Sequence, residues 1–397
     1  MNRRISFKIF IAVVCLVFAL TMTATTAFFV FVIVPARDKN TFAYNQKLIE
    51  INSLVEKYYI GEYDGKMISD GVSYGFLVGL EDKYAGYITA EDAQENMDSL
   101  LGYNSGMGVQ VTRHPDTGYV YILAVHKDSP AENAGIQPKD QIIQLDDKKV
   151  LETGYVAAID YIKTVPNGQI IKTIVLRDGK ELTLDVQLMQ FESQTIFSQK
   201  VGNKGYIQIS SFNDKTVEQF KQAVDYFVAE KVDGLVFDVR GNSGGTLSSV
   251  YHMVDYLVPE GLVVRVDYKD DSYDQTYLSD DKEIDLPMIV LTDENTASAS
   301  ELFTQSLIDY GKAVSVGRKT FGKGVVQRTF TLSDQSLIRI TVAKYYTNSG
   351  KCVDGDGIEP TVPVEWEQNE LSYRLVNGIE VDKDFLAAVE YLDSQLS

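Results

Sequence analysis

Residues 9–34 pass without one charged side chain, and beyond them the spacing of apolar positions changes along the chain. As a helix rising ~1.5 Å per residue, that first run would span ~39 Å, more than the ~30 Å hydrocarbon core of a bilayer. Arg3, Arg4 and Lys8 precede it. The bias of cations toward the cytoplasmic side predicts a single-pass transmembrane helix, with everything after Pro35 outside the membrane. The alternative is a secretory signal cut near the small residues 23–27. Leu48, Ile51, Leu54, Val55 and Tyr58 recur at helical spacing over 40–59. A second helix is predicted over 66–80, and Thr89 opens a third with N-cap chemistry.

From residue 105 the apolar period falls to two. Stretches at 108–112, 119–125, 141–145 and 172–176, bounded by Gly, Pro, Asp or Asn, predict strands. Between them lie a short capped helix, Ser129-Pro-Ala-Glu-Asn-Ala-Gly135, and a helix at 157–164. From residue 202 strand and helix alternate: 205–209, 217–230, 234–239, 245–257, 287–291, 298–310. That rhythm predicts parallel βαβ crossovers. Residues 268–283 are strongly acidic and read as a solvated loop, 320–340 return to strands, and 385–396 form a last helix. The predicted organisation is a cytoplasmic leader at 1–8, an anchor at 9–34 and a helical region at 35–103. A small β-rich domain at 104–190, an α/β core at 191–380 and a C-terminal helix at 381–397 complete it.

Composition narrows the chemistry. The 397 residues hold 37 Lys plus Arg against 56 Asp plus Glu, a formal net charge of −19. An acidic exterior argues against nucleic acid, which needs a basic face to displace counterions. Two cysteines make no disulfide scaffold, and three histidines leave little for a zinc site. Cys15 falls in the apolar run, which leaves Cys352 as the one exterior thiol. Neither metal nor organic cofactor is called for, so the chemistry falls to Ser, Lys, Asp, Glu or backbone groups.

In an α/β sheet, reactive groups collect beyond the carboxyl ends of strands. Two such ends stand out: 234–240 followed by Gly241-Asn-Ser-Gly-Gly245, and 287–293 followed by Glu294-Asn-Thr-Ala-Ser-Ala-Ser-Glu301. Each sets a small-residue turn before a helix, a geometry that aims backbone N–H groups at one point. A third segment, Thr320-Phe-Gly-Lys-Gly-Val-Val-Gln327, places Lys323 between two glycines and Gln327 on the same strand face. With no plausible histidine, the economical pair is a serine with a neutral lysine. Such a lysine must lose its proton near pH 7, far below its usual ~10.4, a depression that burial alone can supply.

Thr296-Ala-Ser-Ala-Ser-Glu301, followed by Thr320-Phe-Gly-Lys-Gly324 and Gln327, resembles the C-terminal processing peptidases, also called tail-specific proteases; the spacings match as well. The resemblance implies a serine endopeptidase in which Ser298 is the nucleophile, Lys323 the general base and Gln327 the residue that orients the lysine. Arg240-Gly-Asn-Ser-Gly-Gly245 is similar to the family's oxyanion loop, implying Gly244 and Ala299 N–H groups as the donors. Tyr345-Tyr-Thr-Asn-Ser-Gly350 and Gly357-Ile-Glu-Pro360 resemble the family too. The implied fold is a Clp-protease/crotonase-like core with an inserted domain that resembles PDZ. In that domain Ser105, Gly106, Met107, Gly108 and Val109 would hold the free C-terminus of a protein or peptide substrate, which adds as a strand. Some relatives gate the site through a PDZ arginine, and the nearest position here is Lys163. The chain departs from many relatives at Ser243, where they carry Pro, and at Lys83-Tyr84-Ala85, where they carry Pro-Tyr-Ser. The family also implies a homodimer.

Two rival readings remain. A catalytically silent PDZ scaffold would bind exported C-termini without cutting them. An esterase would use Ser243, since Gly241-Asn-Ser-Gly-Gly245 satisfies the G-x-S-x-G elbow. That fold needs a later acid and histidine, and His252 is the only later one; His114 and His126 read as surface residues of the inserted domain. An S-x-x-K pair occurs at Ser279 and Lys282, inside the acidic stretch.

Overall fold

A computed structural model describes residues 7–28, 39–366 and 382–396. The chain divides into two compact units, Met1–Ser69 and Asp70–Ser397. The first holds the helices Phe7–Phe28 and Lys39–Tyr58. Among the described residues, no helix is long and apolar enough to cross a membrane. Residues 29–34 and most of the leader lie outside the described residues. The expected transmembrane span therefore finds no support in the described structure.

The second unit is built on a six-stranded sheet whose order is Ile196–Val201, Lys204–Ile209, Gly234–Asp238, Met288–Thr292, Ala313–Gly317, Val362–Pro363. Neighbours are parallel except at the first edge, where Ile196–Val201 folds back antiparallel. Gly234–Asp238 and Met288–Thr292 are buried on both faces, which is why they read as unbroken apolar runs. Alternation sends Leu235, Phe237 and Val290 to one side. There they meet the helices Thr216–Ala229, Leu247–Asp255 and Ala299–Asp309 through Phe220, Val250, Phe303 and Leu307. Phe237 and Phe303 meet edge-on with centroids 5.4 Å apart. Val236, Ile289 and Leu291 point the other way, onto Phe385, Ala388 and Leu392 of the helix Lys383–Leu396.

The β-rich domain has its own core. Its sheet order is Val109–Arg113, Val120–Val125, Gln141–Leu145, Ile170–Arg177, Lys180–Gln187, and Val120, Ile122, Ile142, Ile171 and Val186 pack beneath the helix Tyr155–Thr164. The strand Tyr103–Gly106 leading in pairs with Met189–Glu192 leading out. A third sheet joins Gly86–Ile88, Gly261–Tyr268, Gln275–Ser279, Val325–Thr331 and Leu337–Tyr346. Gln275–Ser279 corrects the expected loop at 268–283. Thr276, Tyr277 and Leu278 supply β-propensity there, and the acidic residues around them only flank the strand.

A buried ion network ties the last helix to the sheet. Arg240 donates to Asp238 (2.9 and 2.6 Å) and Asp384 (2.7 Å) and pairs with Asp382 (2.8 Å). Arg318 and the indole N–H of Trp366 also reach Asp384, at 3.1 and 2.9 Å. Burial opposes the charge on Arg240, but these carboxylates outweigh it and raise the guanidinium pKa. Asp384→Ala takes a buried carboxylate from Arg240, Arg318 and Trp366. Asp238 and Asp382 still face Arg240 and Glu294 still faces Arg318, so the loss is about 1–3 kcal/mol. The expected result is a lower urea midpoint, with a red-shifted emission from Trp366, the one tryptophan of the chain.

Candidate active site

Two glycines bring the turn after Gly234–Asp238 into contact with its neighbours. A Cβ on Gly245 would lie 1.9 Å from the Phe212 carbonyl oxygen, and one on Gly244 2.8 Å from that of Ala297. Buried Asn242 holds the turn to the next strand end. Its Nδ2 donates to Ile209 O (2.8 Å), and its carbonyl oxygen accepts from Ala297 N–H (3.0 Å) and Ser300 Oγ (2.9 Å).

Ser298 caps the helix Ala299–Asp309 with φ 57° and ψ −115°, outside the regions L-residues favour. Such a conformation costs about 1–3 kcal/mol and persists only when its surroundings over-determine it. The restraint comes from Glu301, wholly buried one turn on. Its carboxylate accepts from Ser298 N–H (2.9 Å), Thr320 Oγ1 (2.6 Å), Gly322 N–H (2.7 Å) and Lys323 N–H (2.8 Å). One side chain thus binds the serine turn to the lysine turn. Buried Tyr345 repeats the link, its hydroxyl donating to Ser298 O (3.1 Å) and Lys323 O (3.0 Å).

Lys323 Nζ donates to Gln327 Oε1 at 2.8 Å and lies 4.7 Å over the Tyr84 ring. Gln327 Nε2 in turn donates to Tyr84 O. Burial pushes the lysine pKa below its usual value, Arg339 and Lys83 add to this by repulsion, and Asp82 and Glu301 oppose it. Ser298, Ala299, Lys323, Gln327, Ser243 and Gly244 line one cleft of ≈ 670 Å³. Two details differ from the sequence expectation. The amine is bonded to Gln327, with no hydrogen bond recorded to Ser298 Oγ. Gly244 N–H donates to Asn242 Oδ1 at 2.8 Å, so this expected donor is engaged.

The residues expected to hold a substrate tail lie elsewhere, in a groove of ≈ 310 Å³. Ser105, Gly106, Met107, Gly108 and Val109 line it with His126, Ile159, Ile162 and Phe191. Lys163 lies here and is absent from the lining of the larger cleft. Met107 O and Gly108 O accept from Ala131 and His126 N–H, which fixes the loop. Val109–Arg113 is an edge strand, paired on one side only. Among the described residues, no three His, Cys, Asp or Glu side chains gather as a metal site.

Glu301, Asn242, Tyr345 and Tyr84 carry no role in the sequence expectation. Glu301 had a signal, because Ser298-x-x-Glu301 is the spacing of a capping box. In Glu301→Gln an amide faces donors that a carboxylate had satisfied. We expect a stability loss of about 2–4 kcal/mol in urea unfolding, and faster hydrogen exchange at the Gly322 and Lys323 amides.

Comparison with known proteins supplies the family. Residues 203–364 match the model for peptidase family S41, and residues 105–188 match a PDZ domain. The chain is 30% identical over 328 residues to the carboxy-terminal processing protease CtpA of Bacillus subtilis, covering 81% of this chain and 70% of that one. It is 30% identical over 326 residues to CtpB of the same organism, covering 80% and 67%. The crystal structure of an S41 protease candidate from Bacteroides fragilis aligns with a TM-score of 0.57 at 19% identity, over 81% of this chain and 90% of that one, a likeness of fold. The chain belongs to peptidase family S41, as a carboxy-terminal processing serine protease with a PDZ domain.

Proposed function

We propose that this protein cuts exported proteins near their C-termini by a Ser–Lys mechanism, with Gln327 orienting the lysine. The observation that carries the proposal is the cleft itself. It sets a serine on a strained helix start beside a half-buried amine whose pKa burial depresses. Lys323 takes the proton of Ser298 Oγ as that oxygen bonds to the substrate carbonyl carbon, and the carbonyl oxygen becomes an oxyanion. The ammonium then gives the proton to the leaving amine as the C–N bond breaks, and water later releases the acyl group from Ser298. Ala299 N–H, at the first turn of its helix, and Gly244 N–H stabilise the oxyanion; Gly244 exchanges Asn242 Oδ1 for it. In this cycle the amine exchanges Gln327 Oε1, its partner at 2.8 Å, for Ser298 Oγ.

The PDZ groove receives the substrate's terminal carboxylate at Ser105–Val109, and the tail extends the sheet along the open edge of Val109–Arg113. Residues 9–34 hold the protein at a membrane, with its catalytic part outside the cytoplasm. Ile11, Val14, Leu16, Val17, Phe18 and Leu20 expose apolar surface all round the first helix, as at a lipid boundary. Leu48, Ile51 and Leu54, exposed along Lys39–Tyr58, are the face through which two copies pair.

Ser298→Ala and Lys323→Ala are expected to remove proteolysis with the fold intact by circular dichroism, and Ser243→Ala to leave it. Cleavage persisting in Ser298→Ala would refute the mechanism. Activity should rise with pH along a limb set by Lys323, because only the neutral amine accepts the proton. That limb lies below the usual lysine value, since burial depresses the amine. Amidating a substrate's C-terminus should lower kcat/KM, and unchanged cleavage would count against the PDZ role.

A further inference from the structure

The larger cleft carries cations and no anion. Of its lining residues Lys323 and Arg339 are basic on the strand face of Gln327 and none is acidic, in a chain of net charge −19. Arg339 is half-buried and stands opposite Thr329 in the strand ladder, on the face that Gln327 shares. Its Nη2 donates to Asn96 Oδ1 at 3.1 Å, a neutral partner on the helix Ala90–Leu100. Among the described residues no ion pair reaches it. Arg328, next to Gln327 in the strand, is exposed on the other face, 5.3 Å over the Phe330 ring.

Arg339 has five donors in a rigid fork that matches a carboxylate, and Asn96 is the one recorded partner of its side chain. A cleft of one sign also gathers counter-charge from solution, the more so against an acidic exterior. We propose that Arg339 is a carboxylate-binding subsite that selects substrates carrying an acidic group beside the scissile bond. This rests on the reading of Ser298 and Lys323 as the reacting pair. The carboxylate can be an Asp or Glu side chain or the chain's own terminus. The PDZ loop already offers the terminus a separate seat, which favours the side chain.

The test compares amidated peptides of one length: a neutral segment, and the same segment with Glu at each of the positions flanking the scissile bond. A neutral peptide with a free terminus close to that bond is added. For the unmodified enzyme, the best Glu peptide is expected to exceed the neutral one about tenfold in kcat/KM at low salt, the gap narrowing as salt rises. Arg339→Gln should erase most of the gap, and Arg339→Glu should turn it toward peptides with Lys at that position. A gain confined to the free-terminus peptide and lost in Arg339→Gln would keep the subsite and assign the carboxylate to the terminus. Equal kcat/KM for all peptides on the unmodified enzyme, or a gap that survives Arg339→Gln, overturns the proposal. The first of these needs no variant to fold. Cleavage that persists in Ser298→Ala would instead defeat the Ser–Lys reading, so the two failures are told apart.

Discussion

One buried carboxylate holds this site together. Glu301 is wholly inside the protein and receives four donors from two chain segments far apart in sequence. An ionised carboxylate left unsatisfied there would be prohibitive, so the serine turn and the lysine turn must both be in place for the region to fold. The strained backbone at Ser298 is the local cost of this arrangement, and the hydroxyl of Tyr345, bridging the same two segments, adds a second tether. The relative placement of the Ser298 and Lys323 turns therefore follows from folding.

The fold supplies the rigid frame around that carboxylate. Strands buried on both faces leave no freedom at Asp238 or Thr292, and the turns beyond them approach so closely that Gly244 and Gly245 tolerate no side chain. On the far side of the sheet, Arg240 locks the terminal helix to the strand that feeds the Gly244 turn. Burial and charge then act on Lys323 in opposing directions: the cations Arg339 and Lys83 add to desolvation, while Asp82 and Glu301 resist it.

Much of this was legible in the sequence, for reasons that differ by element. The core strands announced themselves because burial on both faces forces apolar runs, and the helices between them because one face must be apolar. Ser298, Lys323 and Gln327 were legible as a motif, since their spacing is tied to adjacent strand ends. Gln275–Ser279 was hidden by its acidic flanks, and Gly86–Ile88 by its brevity; a three-residue strand has no period to read. Tyr84 was beyond reach because it meets Lys323 and Gln327 through pairing between Gly86–Ile88 and Leu337–Arg339, a contact across most of the chain. Asn242 does its work through hydrogen bonds, which leave no periodic trace.

The strands Tyr103–Gly106 and Met189–Glu192 enter and leave the PDZ domain side by side, paired to each other, and Ser193 N–H closes the pair on Gly102 O at 2.8 Å. The inserted domain is thus hung from a two-stranded ribbon instead of two independent linkers. A ribbon bends and twists about its own axis but resists separation of its legs. The paired legs therefore leave the inserted domain bending of the ribbon as its main freedom, where two separate linkers would let it tumble.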